Sequence, residues 1–309
     1  MQVNELYEIF CSLSECDDWK MKLLRCSFSK DNVNYQTRTI YFSKRDEFKN
    51  FVTDLINNYV DEKEKRFKSY EDIVEYNGAV LENTIYSIET TDELIATSFS
   101  ELNKAINKSL KKGDPLKFNA DAYILCGKIE INNEQKPIKL ISVKKPISTL
   151  RHKYYLDTGS KFKEIPDKVL SLGKDIDLII YDDVVYMFSL AGEKVFNLER
   201  AYKKKAEETV KKIQSHKIFS NSNIFSEVAS KGYNPRRFLS FNENTLVALE
   251  NKDKRIEIAN QFDINLKGDI FDTEDKNNCE KIIKVLCDRG MLDPITNTAR
   301  EVSGAKKWN

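Results

Sequence analysis

One spacing in the chain is typical of nucleases that hold a divalent metal, since Asp121 is followed by Glu134-Gln135-Lys136. In such enzymes the carboxylates bind the metal ion and a water molecule is positioned for attack. That chemistry requires the Glu-x-Lys segment to lie along a central strand. Here the segment follows Asn132-Asn133 and precedes Pro137, which are turn-forming residues. We therefore expect a turn, and a metal-dependent nuclease is the less favoured alternative.

Other catalytic signatures are missing. The chain has no GxxxxGK[ST], no GxGxxG after a strand, no GxSxG and no HExxH. His152 and His216 are the only histidines, and the six cysteines include no CxxC pair, which disfavours a His-dependent triad and a zinc site. Asp182-Asp183 lies between two hydrophobic segments and is expected to be a turn. We predict that the protein is not an enzyme, with no catalytic residue, metal or cofactor.

Basic residues are the stronger candidates for a functional site, because binding of a polyanion requires several cations on one surface. Three basic segments suit contact with a phosphate backbone. One lies on a predicted helix, and the other two have aromatic residues among or beside their cations. We predict DNA contacts from ten residues: Lys144, Lys145, Arg151, Lys153, Lys161, Lys203, Lys204, Lys211, Arg236 and Arg237.

Each basic segment also has an ordinary structural interpretation. Glu207 and Glu208 precede Lys211 and Lys212 by four residues, which is typical of a solvated helix with i,i+4 ion pairs. The pair Arg236-Arg237 could bridge acidic groups between packed helices, and the segment 144–163 could be an exposed loop. Both interpretations stay open at the level of sequence.

The charge distribution favours a polyanionic partner for the later part of the chain. The 309 residues carry a net charge of +1, but residues 1–113 hold 16 basic and 20 acidic side chains. Residues 128–168 hold 10 basic and 5 acidic side chains, and residues 198–255 hold 13 and 7. Such asymmetry indicates nucleic-acid binding by the central and C-terminal regions.

The elements that must position these residues follow from periodicity. Helical spacing predicts helices over 2–13, 43–63 and 98–111, and β-forming or alternating residues predict strands over 19–28, 37–42 and 84–89. Asp114-Pro115 then breaks the chain after Gly113. We therefore predict an N-terminal mixed α/β domain over 1–113 and a second domain over 114–309.

The second domain begins with strands and ends with helices. A hairpin is predicted near 122–126 and 138–143, and residues 178–181, 184–188 and 194–196 are expected to form an antiparallel meander. Helices are predicted from 198 to about 216, near 224–228, from 234, over 244–260 and over 275–288, with a closing strand in 298–307. The predicted fold class is α+β, with a central antiparallel sheet and a helical C-terminal region.

Composition also suggests where the protein works. No segment approaches the roughly 20 apolar residues of a spanning helix, and the first 20 residues are acidic where a signal peptide would be basic and then apolar. The cysteines are scattered, which suits reduced thiols. We expect a soluble cytoplasmic protein.

Three segments after about residue 115 form a family pattern. They are the meander from Asp177-Leu178-Ile179-Ile180 to Val184-Val185-Tyr186-Met187-Phe188, the helix start Asn197-Leu198-Glu199, and Ile282-Ile283-Lys284-Val285-Leu286-Cys287-Asp288-Arg289 followed by Leu292 and Pro294-Ile295-Thr296. In these segments the chain resembles the KwaB-like family, the soluble subunit of the bacterial two-gene Kiwa anti-phage defence system. The resemblance implies DNA binding during phage infection and a small multi-pass membrane protein of the same operon as partner. It supplies no catalytic motif, and hence no active-site residue.

The leading hypothesis is a non-catalytic DNA-binding subunit of a membrane-associated defence complex, peripheral to the inner membrane through its partner and assembled as a homo-oligomer. The alternative is a protein-interaction adaptor that uses the acidic N-terminal region and binds no nucleic acid.

Overall fold

The structure is a computed structural model. It describes residues 1–16, 18–29, 32–60, 66–131, 133–144, 147–149, 154–156, 162–164, 168–293, 295–296 and 298–302. Two compact units divide the chain. The first contains Met1–Glu75 and Asn83–Asn197, and the second contains Tyr76–Glu82 and the chain from Leu198 onward.

The first unit contains four helices and twelve strands within the described ranges. The helices are α1 Val3–Ser12, α2 Arg45–Val60, α3 Ala96–Asn107 and α4 Glu193–Phe196. The strands are β1 Lys20–Phe28, β2 Val33–Ile40, β3 Asp72–Glu75, β4 Thr84–Glu89, β5 Ala122–Ile131, β6 Glu134–Ser142, β7 Ile147–Thr149, β8 Tyr154–Leu156, β9 Phe162–Glu164, β10 Lys168–Leu170, β11 Leu178–Tyr181 and β12 Val184–Met187.

Eight of these strands form one sheet in the order β2-β1-β5-β6-β11-β12-β4-β3. All neighbours pair antiparallel except β3 and β4, which are parallel. The pairs β7 with β10 and β8 with β9 are separate two-stranded sheets. The predicted α+β class with a central antiparallel sheet is confirmed.

Alternate side chains along each strand point to opposite sides of the sheet. Both faces carry buried side chains. On the first face, Leu125, Leu140 and Ile179 belong to one apolar cluster with residues of α1 and α2. On the second face, Thr37 Oγ1 donates a hydrogen bond to the carbonyl oxygen of Ala105 in α3. The sheet therefore has helices on both sides, which explains why Ile124, Ile141 and Ile180 on the second face are also buried.

The turn between β11 and β12 agrees with the prediction. Asp182 and Asp183 have φ of 50° and 58°, so both central residues lie in the left-handed region. Positive φ at both positions is the requirement of the type I′ turn that suits a two-residue hairpin.

The strand predicted over 194–196 is wrong, since these residues form α4. Ser189 Oγ accepts a hydrogen bond from the Ala191 amide and starts a 3-10 turn over Leu190–Gly192 that continues into α4. Asn197, with φ of 53°, ends the helix. The capping serine determined the local structure, although Val195 and Phe196 are residues with high β-propensity.

The second unit is mainly helical in the part that the structure describes. Its helices are α5 Leu198–Gln214, α6 Ser222–Ala229, α7 Asn234–Arg237, α8 Glu243–Glu250, α9 Lys252–Gln261 and α10 Lys276–Leu286, and its strands are β13 Leu266–Lys267, β14 Ile270–Phe271, β15 Gly290–Leu292 and β16 Ala299–Glu301. The apolar faces of α5, α6, α8 and α10 share one buried cluster that contains Phe225, Phe238 and Phe271. Cys279 and Cys287 are buried in it as expected.

The single helix predicted over 244–260 is two helices, α8 and α9. Asn251 separates them because it has extended backbone and its Oδ1 accepts hydrogen bonds from the Asp253 and Lys254 amides. An asparagine inside an apolar periodicity can thus start a new helix instead of continuing the old one.

The compact units divide the chain at other places than the predicted boundary between residues 113 and 114. That boundary falls inside the first unit, where Lys20–Leu24 of β1 pair with 122–126 of β5. The pairing joins strands from both sides of Asp114-Pro115 into one sheet, and local composition carries no information about it.

The hydrogen bonds of the buried Asp177 carboxylate lead to a stability prediction. Its Oδ2 accepts a hydrogen bond from the Val143 amide at 2.7 Å and its Oδ1 accepts one from Ser189 Oγ at 2.6 Å. We expect Asp177→Ala to lower the free energy of unfolding by about 2 kcal/mol, because two partly buried donors lose their acceptor. Urea denaturation measures the change.

Asp54→Ala is the matched control, because Asp54 is 57% exposed and its ion pair with Lys174 is also exposed. We expect a change within about 0.5 kcal/mol. Equal losses in the two variants would show that the buried hydrogen bonds of Asp177 are not the cause.

Candidate nucleic-acid interface

Four of the ten predicted DNA contacts, Lys145, Arg151, Lys153 and Lys161, lie outside the described residues. The other six are described, one in the first unit and five in the second. The neighbouring carboxylates and rings determine which of these side chains can bind a phosphate group.

Lys144 follows β6, and its ammonium forms an ion pair with Asp175. The same carboxylate also binds the guanidinium of Arg66 at 2.7 Å. Both side chains of the Lys144 pair are partly exposed, so the interaction is weak and water screens it. The charge of Lys144 is therefore partly neutralised, but its ion pair is weak enough to exchange.

Two predicted contacts on α5 have helical ion-pair partners. Lys203 Nζ lies 2.6 Å from a carboxylate oxygen of Glu199, and Lys204 Nζ lies 3.8 Å from one of Glu208. The hydrogen bond that Lys203 donates to Glu199 raises the pKa of Lys203. Each i,i+4 pair contributes about 0.3–0.5 kcal/mol to the helix. These are not the pairs that the spacing predicted, because Glu208 pairs with Lys204 and Lys212 pairs with Glu243.

Lys211 differs from its neighbours on α5, because it makes no ion pair or hydrogen bond with any residue that the structure describes. It lies beside a groove of about 550 Å³ between α5 and α6. Ala206, Val210 and Ala229 are among its apolar lining residues, and its charged lining residues are Lys203, Lys211, Glu207 and Glu227. Lys211 thus presents an ammonium that is available to a ligand.

Arg236 is covered by aromatic rings. Its guanidinium carbon lies 5.5 Å from the ring centre of Tyr202 on α5 and 5.6 Å from that of Tyr233. Such cation–π contacts tie α7 to α5 and hold the charge beside the basic helix. Arg236 is therefore brought close to the α5 lysines within the second unit.

Arg237 is held inside the second unit by acidic side chains. Its side chain is 14% exposed, and its guanidinium lies 3.1 Å from Glu280 and 2.9 Å from Glu301. It also donates a hydrogen bond to Asn234. Lys284 binds the other oxygen of Glu301 at 2.8 Å. This is the bridging arrangement that was the alternative to DNA contact for the arginine pair.

The structure corrects one step of the argument about the Glu-x-Lys spacing. Glu134 and Lys136 lie on β6 of the central sheet and not in a turn. The spacing nevertheless assembles no metal site, because Glu134 pairs with Ile131 at the far end of β5 from Asp121. Ten residues of strand separate these two positions, which is roughly 34 Å. Lys136 instead lies 3.3 Å from Asp182.

Within the described ranges no three His, Cys, Asp or Glu side chains are grouped so that they could hold a metal ion. The same ranges contain no helix with the length and apolar content needed to cross a membrane.

Sequence reasoning missed a set of lysines on the second face of the first unit's sheet. Lys20 and Lys22 on β1, Lys128 on β5 and Lys139 on β6 occupy positions of that face. The sequence carries a local signal only for Lys20 and Lys22, which alternate along the predicted strand 19–28. Lys128 and Lys139 join them through strand pairing between segments about 100 residues apart.

Comparison with family models identifies a match to the family described as Kiwa protein KwaB-like, over residues 119–296. Comparison with curated proteins and with solved structures finds no match.

The arginine network leads to a stability prediction. Replacement of Arg237 by Ala removes the donor to Asn234 Oδ1, Glu280 Oε2 and Glu301 Oε1. We therefore expect a loss of about 2 kcal/mol in the free energy of unfolding. Lys204→Ala, which removes an exposed charge from α5, should change it by less than about 0.5 kcal/mol. Urea denaturation of both variants makes the comparison. An Arg237 variant as stable as the Lys204 variant would contradict a structural role for Arg237.

Proposed function

The chain belongs to the Kiwa protein KwaB-like family, and on this premise we propose that it is a non-catalytic DNA-binding subunit of the defence complex. Family membership makes the protein a component of the Kiwa anti-phage defence system. DNA binding, the absence of catalysis and attachment to a membrane partner are the parts that we add as proposals.

The observation that supports DNA binding is the composition of α5. The helix carries six basic and three acidic residues, and its lysines are largely exposed. Lys211 makes no ion pair with a described residue, and the aromatic contact of Arg236 with Tyr202 brings a further cation to the same helix. The second unit therefore presents a surface with excess positive charge along one helix.

The exposed ion pairs on α5 do not prevent binding of a polyanion. A solvent-exposed lysine–carboxylate pair is worth at most about 1 kcal/mol, so a phosphate can replace the carboxylate at little cost. Each phosphate contact also releases condensed counterions from DNA, which favours association at low salt. We expect binding that is largely indifferent to base sequence and strongly dependent on salt.

The contact set is narrower than the ten residues of the sequence prediction. Lys203, Lys204 and Lys211 are the proposed phosphate contacts on α5, with Arg236 beside them. Arg237 is excluded from direct contact in this proposal because its guanidinium is occupied by Glu280 and Glu301. Lys144, Lys145, Arg151, Lys153 and Lys161 stay predicted contacts.

The family also supports a proposal for the assembly. We propose that a small multi-pass membrane protein of the same operon holds the chain at the inner membrane, and that the chain forms a homo-oligomer. Oligomerisation would increase DNA affinity, because several α5 surfaces would bind the same duplex.

The alternative function is a protein-interaction adaptor without nucleic-acid binding. The ion pairs of Lys144, Lys203 and Arg237 favour it, since they reduce the charge that the predicted contacts offer to a phosphate. DNA binding by the full chain discriminates the two functions.

We predict that the affinity for a plain duplex falls steeply between 50 and 200 mM salt, on the order of tenfold or more. The triple variant Lys203→Ala, Lys204→Ala, Lys211→Ala should bind more weakly and reduce the slope of log K against log salt by about 2 to 3. Fluorescence anisotropy at several salt concentrations measures both effects.

The matched control removes three exposed lysines from other elements of the second unit: Lys254→Ala, Lys267→Ala and Lys281→Ala. This variant has the same net charge as the α5 variant. Equal weakening in the two would contradict a specific α5 surface, and salt-independent affinity of the unmodified chain would contradict phosphate binding.

The membrane partner is tested by coexpression. We expect the chain to sediment with membranes when the neighbouring membrane protein is present and to stay in the supernatant when it is expressed alone. Fractionation in high salt, followed by immunoblotting, separates this attachment from weak attraction to anionic lipids. A chain that stays in the supernatant in both strains would refute the proposed attachment.

A further inference from the structure

A row of three residues crosses the second face of the first unit's sheet. Lys20 on β1 pairs with Cys126 on β5, and Cys126 pairs in turn with Lys139 on β6. Lys22 is two residues from Lys20 and Lys128 is two residues from Cys126, so all four lysines share this face. The thiol of Cys126 thus lies between lysines on both neighbouring strands.

The spacing of the row lets two ammonium groups reach one ligand. Adjacent strands lie about 4.8 Å apart, so the Cα atoms of Lys20 and Lys139 are separated by roughly 10 Å. Lysine side chains are long and flexible enough to converge over the position between them. The charges of Lys22, Lys139 and Lys20 all act on the Cys126 thiol and oppose the effect of burial, which raises its pKa.

Lys139 is the unusual member of the row. It is half-buried, and its ammonium makes no hydrogen bond or ion pair with any described side chain or carbonyl group. Burial lowers the pKa of Lys139, while the charge of Asp183 acts against this without forming an ion pair. A desolvated ammonium without a counter-ion is costly, and lysines in this situation often belong to functional sites.

The other lysines have defined roles around Lys139. Lys22 Nζ donates a hydrogen bond to the Ile106 carbonyl oxygen near the end of α3 at 2.6 Å, so its charge is held in place. Lys20 lies 3.4 Å from Asp18, in a pair that is exposed on both sides and therefore weak. Lys128 is exposed and makes no ion pair with a described residue. Glu130, two residues from Lys128 on β5, lies on the same face and accepts a hydrogen bond from Gln135. The four lysines therefore outnumber the three nearby carboxylates, Asp18, Asp183 and Glu130.

We infer that this face of β1, β5 and β6 binds a phosphate group, with Lys20 and Lys139 as the direct contacts across Cys126. Lysine ammonium groups bind phosphate as point charges, and two of them on neighbouring strands can contact different oxygens of one phosphate group. The phosphate comes either from the DNA backbone or from a free phosphate compound. In the first case the inference rests on the proposed function and adds a second contact surface, in the first unit.

The test uses the full chain and two probes, inorganic tripolyphosphate and a short duplex DNA. The variant Lys20→Gln, Lys139→Gln removes both direct contacts and retains Lys22 at the end of α3. The control Lys44→Gln, Lys104→Gln removes two exposed lysines of the same unit, each of which has a carboxylate partner as Lys20 does. Calorimetry measures tripolyphosphate binding, and anisotropy measures DNA binding at several salt concentrations.

We expect the double variant to lose at least tenfold in tripolyphosphate affinity, or to reduce the salt slope for DNA by about 2, while the control matches the unmodified chain. Loss with DNA identifies the backbone as the source, and loss with tripolyphosphate alone identifies a free phosphate compound. If the double variant weakens neither probe relative to the control, the inference is overturned, even where the unmodified chain binds DNA. An unmodified chain that binds tripolyphosphate through these lysines but not DNA would instead overturn the proposed function.

A third variant distinguishes lost contact from lost structure. Lys20→Arg, Lys139→Arg retains both positive charges, and it should bind within about threefold of the unmodified chain. Thermal unfolding should show that the Gln variant is at least as stable as the unmodified chain, because Lys139 no longer carries a desolvated charge. Direct phosphate contact would be refuted if the Gln and Arg variants bind equally weakly and the Gln variant also unfolds at a lower temperature than the unmodified chain.

Discussion

The antiparallel pairing of β5 with β6 is the constraint on which the first unit depends. The register runs from Tyr123 opposite Ser142 to Ile131 opposite Glu134, and these two strands lie between the N-terminal strands and β11. Both faces of the sheet carry buried apolar side chains. A slip by one residue would therefore exchange the two faces and bring Cys126 and Lys139 into the apolar cluster with α1 and α2.

The same register determines where charge appears on the sheet. Lys139 lies on the second face because its neighbours Ile138 and Leu140 belong to the core of the first face. Lys136 shares the first face with Ile138 and reaches Asp182 in the β11–β12 turn. The position of each lysine thus follows from burial of its apolar neighbours. The same register that buries the core also places these lysines on their face of the sheet.

The cations of the protein fall into energetic classes that matter for function. Exposed pairs such as Lys203 with Glu199 are weak and exchangeable, so they permit binding of a phosphate. Arg237 is held by two carboxylates and a side-chain amide, and its exchange would leave several groups unsatisfied. Lys139 is desolvated without a described counter-ion, so an anionic ligand would offset part of the cost of its burial. A count of basic residues does not distinguish these classes.

The sequence by itself determined the features that are encoded within a few residues. These include the amphipathic helices α1, α2, α5 and α10, the turn at Asp182-Asp183 and the hydrophobic pattern that resembles the KwaB-like family. Only the tertiary structure decided that β1 pairs with β5, that Glu134 lies on a strand, and that Arg237 meets Glu280 and Glu301. Periodicity and capping act over one or two turns of chain, whereas the choice of distant partners depends on the simultaneous burial of surfaces from many segments.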